Sequence, residues 1–406
     1  MTYEQTLEWM FAQLPMYQNQ GASAFRKDLT NTHRLMAYLG HPERELICIH
    51  VAGTNGKGST SHMLASILQS AGYKTGLFTS PHLHDYRERI RVNGEMIDKN
   101  YVMQFMENHR AFFERENMSF FEMSTGLAFS YFLDQRTQIA IIETGMGGRL
   151  DSTNVISPEL SIITNIGLDH QAFLGDTLKQ IAFEKAGIIK TKTPVVIGEY
   201  TSETKPVFEA MALLEESPIV FASDHVLPDL KSDLLGEYQK ANRQTVLHAI
   251  HVLRKQGRFE ISDEAVAHGL LHVQSQTGLQ GRWQVLSENP KIICDTGHNA
   301  HGFAQSMQQL KKEKAAQLHL VIGFVADKDL SEILEMFPKS ALYYFTAPSN
   351  SRALPANQLQ QHAAEYSLNG LAYSTVAEAF EAAKSNASEE DVIFVGGSNF
   401  VVGEIL

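Results

Sequence analysis

Short runs of consecutive apolar residues alternate with helix-period stretches through the first two thirds of the chain. The runs at 46–52, 74–79, 138–144, 160–166, 194–198 and 217–221 predict strands. Between them, apolar residues return every three or four positions and predict helices over 60–71, 99–115, 122–135 and 177–187. The strands are apolar throughout rather than alternating, which predicts a parallel sheet covered by helices on both faces. A helical pair is predicted at about 237–256 and 262–273. After Gly281-Arg282-Trp283 a second series starts, with strands near 291–295, 318–323, 341–346 and 392–396 and helices near 302–313, 329–336, 356–365 and 377–385. The pattern predicts an α/β protein in two domains, residues 1–280 and 281–406, and a chain of 406 residues is long enough to need two cores. The Gln/Lys-rich stretch Gln308–Gln317 is expected to be a solvated helix face.

The junction between the first long apolar run and the first helix carries Gly53-Thr54-Asn55-Gly56-Lys57-Gly58-Ser59-Thr60. Strand, glycine loop, Lys-x-Ser and helix together make a phosphate cradle. Glycines let backbone N–H groups turn onto a polyanion, and the helix N-terminus adds partial positive charge. Lys57 can reach the outer phosphates, and Ser59 or Thr60 can hold a magnesium ion. The spacing is unusual, with only two residues between Gly53 and Gly56 and with Gly58 before Ser59. The loop predicts nucleotide binding.

Composition narrows this picture. A 43% hydrophobic and 20% charged chain fits a soluble, enzyme-like protein. A net charge of −12 argues against wrapping nucleic acid or an anionic membrane, so phosphate binding must be local. Cys48 and Cys294 both fall in apolar runs and are expected to be reduced core residues. The start Met1-Thr2-Tyr3-Glu4-Gln5 lacks the pattern of a secretory signal, and no apolar run reaches membrane-spanning length, which predicts a cytoplasmic protein.

In open parallel sheets catalytic groups gather at the carboxyl ends of strands. Three polar motifs fall there: Thr79-Ser80-Pro81-His82, Glu143-Thr144-Gly145-Met146-Gly147-Gly148-Arg149 and Asn165-Ile166-Gly167-Leu168-Asp169-His170. Ser80, Glu143 and His170 could serve magnesium ions that bridge phosphates, although hard cations favour oxygen and imidazole is the weakest of the three. Blander readings compete. Ser80 before a proline suits a turn, Asp169-His170 suits a helix cap, and Lys185 in Phe183-Glu184-Lys185-Ala186-Gly187 suits a solvated helix lysine. Asp295-Thr296-Gly297-His298-Asn299 suits either a capped turn or a site. Glu143, a carboxylate closing an apolar strand beside a glycine-rich loop, is best explained by a cation.

Taken together the motifs resemble the folylpolyglutamate synthases and their bifunctional dihydrofolate synthase relatives, within the Mur-ligase superfamily. The resemblance rests on Gly53–Ser59, Thr79-Ser80-Pro81-His82-Leu83, Glu88-Arg89-Ile90, Glu143–Asn154, Asp169-His170, Leu174-Gly175 and Glu184–Lys190. It continues through Tyr238-Gln239, Asn242, Gly281-Arg282, Asp295–Asn299, Asp327-Lys328-Asp329, Arg352-Ala353-Leu354-Pro355 and Gly397-Ser398, in order over nearly the whole chain. It implies an N-terminal P-loop, Mur-ligase-like domain and a smaller C-terminal Rossmann-like α/β domain, with the active site in the cleft between them. It also implies an ATP-dependent ligase. ATP turns a substrate carboxylate into an acyl phosphate, and the amino group of L-glutamate displaces phosphate. Dihydropteroate, reduced folates or both would be the acceptors, with folylpolyglutamate synthase activity alone, or another Mur-type amino-acid ligase, as alternatives.

Carried over by position, Gly53, Thr54, Asn55, Gly56, Lys57, Gly58, Ser59 and Thr60 look like the phosphate cradle, with Asn242, Arg282 and Asp295 as further nucleotide contacts. Ser59, Ser80, Glu143, His170 and Lys185 look like the ligands of two magnesium ions, Lys185 in carbamylated form. Lys57, Glu143, His170, Lys185 and His298 look catalytic, and His298 and Ser398 lie on the glutamate side. A monomer acting on small molecules is implied. The family's Pro-Gly-Arg stands here as Gln280-Gly281-Arg282, and its Asp-Gly-Ala-His-Asn-Pro as Asp295-Thr296-Gly297-His298-Asn299-Ala300. The stretch between Phe221 and Leu234 is shorter than the β-rich insertion the family carries, which puts a local sheet there in doubt.

Overall fold

A computed structural model describes residues 1–13, 28–326 and 330–406, so the Asp327-Lys328-Asp329 motif lies outside the described residues. The chain divides into two compact units. One comprises Met1–Asp233 with Lys240–Gly278, and the other Leu234–Gln239 with Leu279–Leu406.

The strands of the first unit are β1 (Cys48–Ala52), β2 (Thr75–Phe78), β3 (Ile90–Val92), β4 (Glu95–Met96), β5 (Ile139–Glu143), β6 (Leu160–Ile163), β7 (Val195–Ile197) and β8 (Ile219–Phe221). They form one sheet in the order β4-β3-β2-β5-β1-β6-β7-β8. Every pairing from β2 to β8 is parallel, and β1, β2, β5, β6 and β7 are buried along their length, as uniformly apolar strands require. The hairpin β3–β4 departs from the expected parallel sheet: it adds antiparallel to the β2 edge. Three and two residues, with Arg91 in the middle, are too short and too polar to show a period.

Helices absent from the sequence pattern, Tyr3–Ala12, Thr30–Tyr38 and Lys205–Leu214, also build this unit. The first is started by a capping box of Thr2 and Gln5. The helix Phe120–Asp134 begins the same way at Ser119 and Glu122 and buries Phe120, Met123, Leu127, Phe129 and Phe132, with Glu122, Ser124 and Thr125 among them. Among the described residues, no strand lies between Phe221 and the helix Gln239–Gln256. Residues 225–229 instead run as a strap held by that helix: Arg243 grips Asp229 with two bonds of 2.9 Å, Gln244 pairs with both backbone groups of Leu227, and His248 bonds the His225 carbonyl.

The second unit has β9 (Gln284–Glu288), β10 (Lys291–Cys294), β11 (Leu318–Ile322), β12 (Leu342–Phe345), β13 (Gly370–Ala372) and β14 (Val392–Gly396), in the order β13-β12-β11-β14-β10-β9. All pairings are parallel except β9 on β10. Its core gathers Trp283, Phe303, Phe324, Phe337, Tyr343, Phe345 and Phe394. In both units the strand order reverses beside a central strand, so loops from the carboxyl ends of neighbouring strands share one edge.

Candidate active site

At that edge of the first sheet, β1 lies between β5 and β6, with Val51 beside Glu143 and Ala52 beside Ile163. The glycine loop leaving β1 is zipped to the loop leaving β6. Thr54 N–H donates to the Asn165 carbonyl (2.9 Å), Asn55 N–H to Asn165 Oδ1 (3.0 Å), and Thr164 Oγ1 to the Asn55 carbonyl (2.6 Å). Gly56 then opens the helix Lys57–Ser70 with φ +81, a left-handed conformation that glycine alone takes without strain. A Cβ there would lie 2.2 Å from Asn242 Oδ1, so Asn242 sits against the turn of the loop. Ser59 and Thr60 are buried in the first helical turn, and Thr60 Oγ1 has no hydrogen-bond partner.

Two ammonium groups converge on one backbone oxygen. Lys57 Nζ donates to the carbonyls of Gly53 (3.0 Å) and Thr54 (3.1 Å), and Lys185 Nζ donates to Gly53 (2.8 Å). Lys185 is only 4% exposed, so it is no solvated helix lysine. Burial above all, and then the charge of Lys57, push its amine down to about 7. Two cations sharing one oxygen repel, and an anion between them or a change of charge on Lys185 would relieve the conflict.

The segment 145–154 explains how Lys185 is held. It is a clamp on the helix Leu178–Ala186. A Cβ on Gly148 would stand 2.8 Å from the Lys185 carbonyl, and Asn154 Nδ2 donates to both Arg149 and Gly187 carbonyls at 3.0 Å. Buried Asp151 fixes the clamp by accepting from Met146 N–H (2.9 Å) and from Thr153 N–H (3.0 Å) and Oγ1 (2.5 Å). His50, inside β1, lies 2.8 Å from Thr153 Oγ1 through Nε2. The Thr153 hydroxyl gives its one hydrogen to Asp151, so His50 presents Nε2–H, and burial, pushing it down to about 3, keeps it neutral. Neither His50 nor Asp151 was singled out from the sequence. A histidine interrupting an apolar strand was the available signal.

Of the residues expected to hold metal, Glu143 is buried at the end of β5 and accepts Ser80 N–H at 3.1 Å, which joins two of them directly. His170 precedes a short helix with φ +51. Its side chain is 47% exposed and lies 3.9 Å from Asp169. Among the described residues, no three of His, Cys, Asp and Glu gather into a metal cage. That donor set fits magnesium arriving with a nucleotide, because this ion keeps several waters and takes one or two carboxylates plus phosphate oxygens.

In the second unit, Asp295 follows β10 and Ser398 follows the neighbouring β14. Asp295 is buried, and its oxygens accept from Tyr238 Oη (2.7 Å), Trp283 N–H (2.9 Å), Gly297 N–H (2.8 Å) and Ser306 Oγ (3.2 Å). These four internal donors make it an organiser of the loop carrying His298. Ser398 Oγ accepts Val401 N–H as a helix cap. His298 Nδ1 is 3.2 Å from the Thr296 carbonyl, and Arg282 is half-buried just before Trp283.

Comparison with known proteins agrees with this arrangement. Residues 51–210 match the Mur ligase middle domain, and residues 281–399 match the Mur ligase glutamate ligase domain. A Bacillus subtilis dihydrofolate synthase/folylpolyglutamate synthase is 35% identical over 80% of each chain. A Haloferax volcanii probable bifunctional folylpolyglutamate synthase/dihydropteroate synthase is 32% identical over the whole of this chain, which spans only half of that relative's length. The Escherichia coli FolC in complex with DHPP and ADP superposes with a TM-score of 0.84 at 29% identity, covering 98% of this chain and 96% of that one. The Yersinia pestis bifunctional enzyme complexed with AMPPNP and Mn ion gives 0.83 at 27% identity, covering 98% and 97%. The chain belongs to the dihydrofolate synthase/folylpolyglutamate synthase family of Mur-type ligases.

Proposed function

We propose that this chain is an ATP-dependent ligase that joins L-glutamate to dihydropteroate and to the glutamate tail of reduced folates, through an acyl phosphate. The observation that carries this reading is the pairing of Lys57 and Lys185 on the Gly53 carbonyl, at the strand edge that also carries Glu143 and Ser80. A carboxylate is a poor electrophile, and phosphorylation gives it a leaving group. The backbone of Gly53–Thr60 and the Lys57 ammonium hold the phosphates and stabilise the charge that grows on the transferred group. Ser59, Ser80, Glu143 and His170 would hold magnesium, which screens the phosphate charge from the incoming carboxylate. Lys185 would complete this set as a carbamate. A neutral amine is the form that takes up carbon dioxide, and an amine that titrates near 7 supplies it at physiological pH. Asn242, Arg282 and Asp295 would serve the nucleotide directly or by ordering its loops, and His298 and Ser398 the glutamate.

Relatives named for both activities support two acceptors. Among the described residues, no helix is long and apolar enough to cross a membrane. We place the reaction in the cytoplasm, carried out by a monomer. The test is ADP release by purified protein with magnesium and ATP, leaving out glutamate, dihydropteroate or tetrahydrofolate in turn. ADP formation should require glutamate together with either acceptor. ADP formed at the same rate without any acceptor would overturn the reading.

A further inference from the structure

Arg89 is placed against the candidate site yet has no assigned task. It is 9% exposed, its guanidinium carbon lies 5.1 Å from the centroid of the Phe120 ring, and its Nε donates to His82 Nδ1 at 2.7 Å. That is the guanidinium's one hydrogen bond among the described residues. Among the described residues, neither terminal nitrogen has a partner and no carboxylate forms an ion pair with it. The acids whose charge it feels are otherwise engaged. Glu88 accepts the backbone N–H groups of Leu83, His84 and Asp85, and Glu143 accepts that of Ser80. Burial pushes the guanidinium down to about 10, so it stays charged at neutral pH. His82, pushed down to about 4 by burial, is a neutral acceptor and offers no compensation. A buried cation whose two terminal nitrogens meet no partner among the described residues is costly unless an anion arrives. Phe11, stacked on Phe120 at 5.0 Å, extends an aromatic wall beside it.

The ligase reading, on which this step rests, supplies the anion. A folate tail carries two carboxylates. One must face the phosphate next to Glu143; the other needs a partner close by. Dihydropteroate carries only the carboxylate that reacts. We infer that Arg89 binds the α-carboxylate of the terminal glutamate of a folate acceptor, and so recognises glutamylated acceptors while having no counterpart on dihydropteroate.

The experiment compares kcat/KM for tetrahydrofolate, its α-carboxamide analogue and dihydropteroate in wild type, Arg89→Gln and Arg89→Lys. A lost charge-assisted pair predicts a fall of about 10- to 100-fold for tetrahydrofolate in Arg89→Gln. Dihydropteroate should change less than about threefold on the same principle. The carboxamide should suffer a similar loss in wild type and no further loss in Arg89→Gln, and Arg89→Lys should recover part of the tetrahydrofolate rate. Equal losses for both acceptors, or wild type using acid and carboxamide alike, would overturn the inference; the second arm needs no variant to fold. Wild type inactive with every acceptor would remove the ligase reading itself.

Discussion

The Gly53 carbonyl accepts from two lysines that do different work. Lys57 is also tied to Thr54 and can swing its charge onto a phosphate without unfolding anything. Lys57→Ala should therefore lower kcat by on the order of 10²-fold or more while leaving the melting temperature nearly unchanged. Near-normal turnover in the folded variant would contradict its role. Lys185 is the buried one, and its proton binding makes a stability prediction. The unfolded lysine holds its proton up to about 10.5, whereas the folded one releases it near 7. Between these values the unfolded state binds more protons, so this group makes unfolding free energy rise with pH, by at most about 1.4 kcal/mol per unit. Below 7 both states are protonated and the contribution is flat. The difference between wild type and Lys185→Met, measured by denaturant titration without bicarbonate, should show that slope above 7 only. A difference independent of pH would mean that the lysine keeps its proton. With labelled bicarbonate, a carbamate resonance present in wild type and absent from Lys185→Met is expected by NMR. An active, bicarbonate-supplied sample without that resonance would remove the carbamate.

At the scale of elements, the clamp of residues 145–154 on the helix Leu178–Ala186 is the part most open to test. Gly148→Ala brings a methyl within 2.8 Å of the Lys185 carbonyl and cannot be accommodated without moving one backbone from the other. We expect loss of about 1–3 kcal/mol of stability and a larger loss of turnover, because Lys185 moves with its helix. An unchanged Tm and kcat would show that the contact is not needed. The same clamp shows what the sequence could reveal. The long buried strands β1, β5 and β6 and the helices between them were legible because full burial writes an unbroken apolar run. The hairpin β3–β4, β9 and the half-exposed β13 were not, since two to five residues near a sheet edge carry no period. Glu143 could be singled out because a carboxylate ending an apolar strand is conspicuous. Lys185 could not be recognised from its own residues, because the Gly53 carbonyl that takes its ammonium and the Lys57 charge beside it are remote in sequence. For the same reason Asp295, expected on the nucleotide, has its oxygens turned to Tyr238, Trp283, Gly297 and Ser306. Neither bond partners nor burial follow from a motif.

For the whole molecule, a chain with a net charge of −12 must bind a polyanion through a small local set of positive and polar groups. In the proposed reading the phosphate loop, two lysines and a few oxygen donors would be that set, and among the described residues no three of His, Cys, Asp and Glu form a metal cage. Chelating divalent cations should therefore abolish turnover without unfolding the protein, and adding magnesium or manganese should restore it. Residual activity at full chelation would show that the phosphates are held by the chain alone. Activation of a substrate carboxylate as an acyl phosphate can be followed in the fate of one oxygen. When the carboxylate attacks ATP, ADP leaves and one carboxylate oxygen becomes bonded to phosphorus; when the glutamate amine then forms the amide, that oxygen departs with the phosphate. With dihydropteroate labelled with heavy oxygen in its carboxylate, mass spectrometry of the released phosphate should find one labelled oxygen for each amide bond formed. Unlabelled phosphate alongside normal product formation would exclude the acyl phosphate.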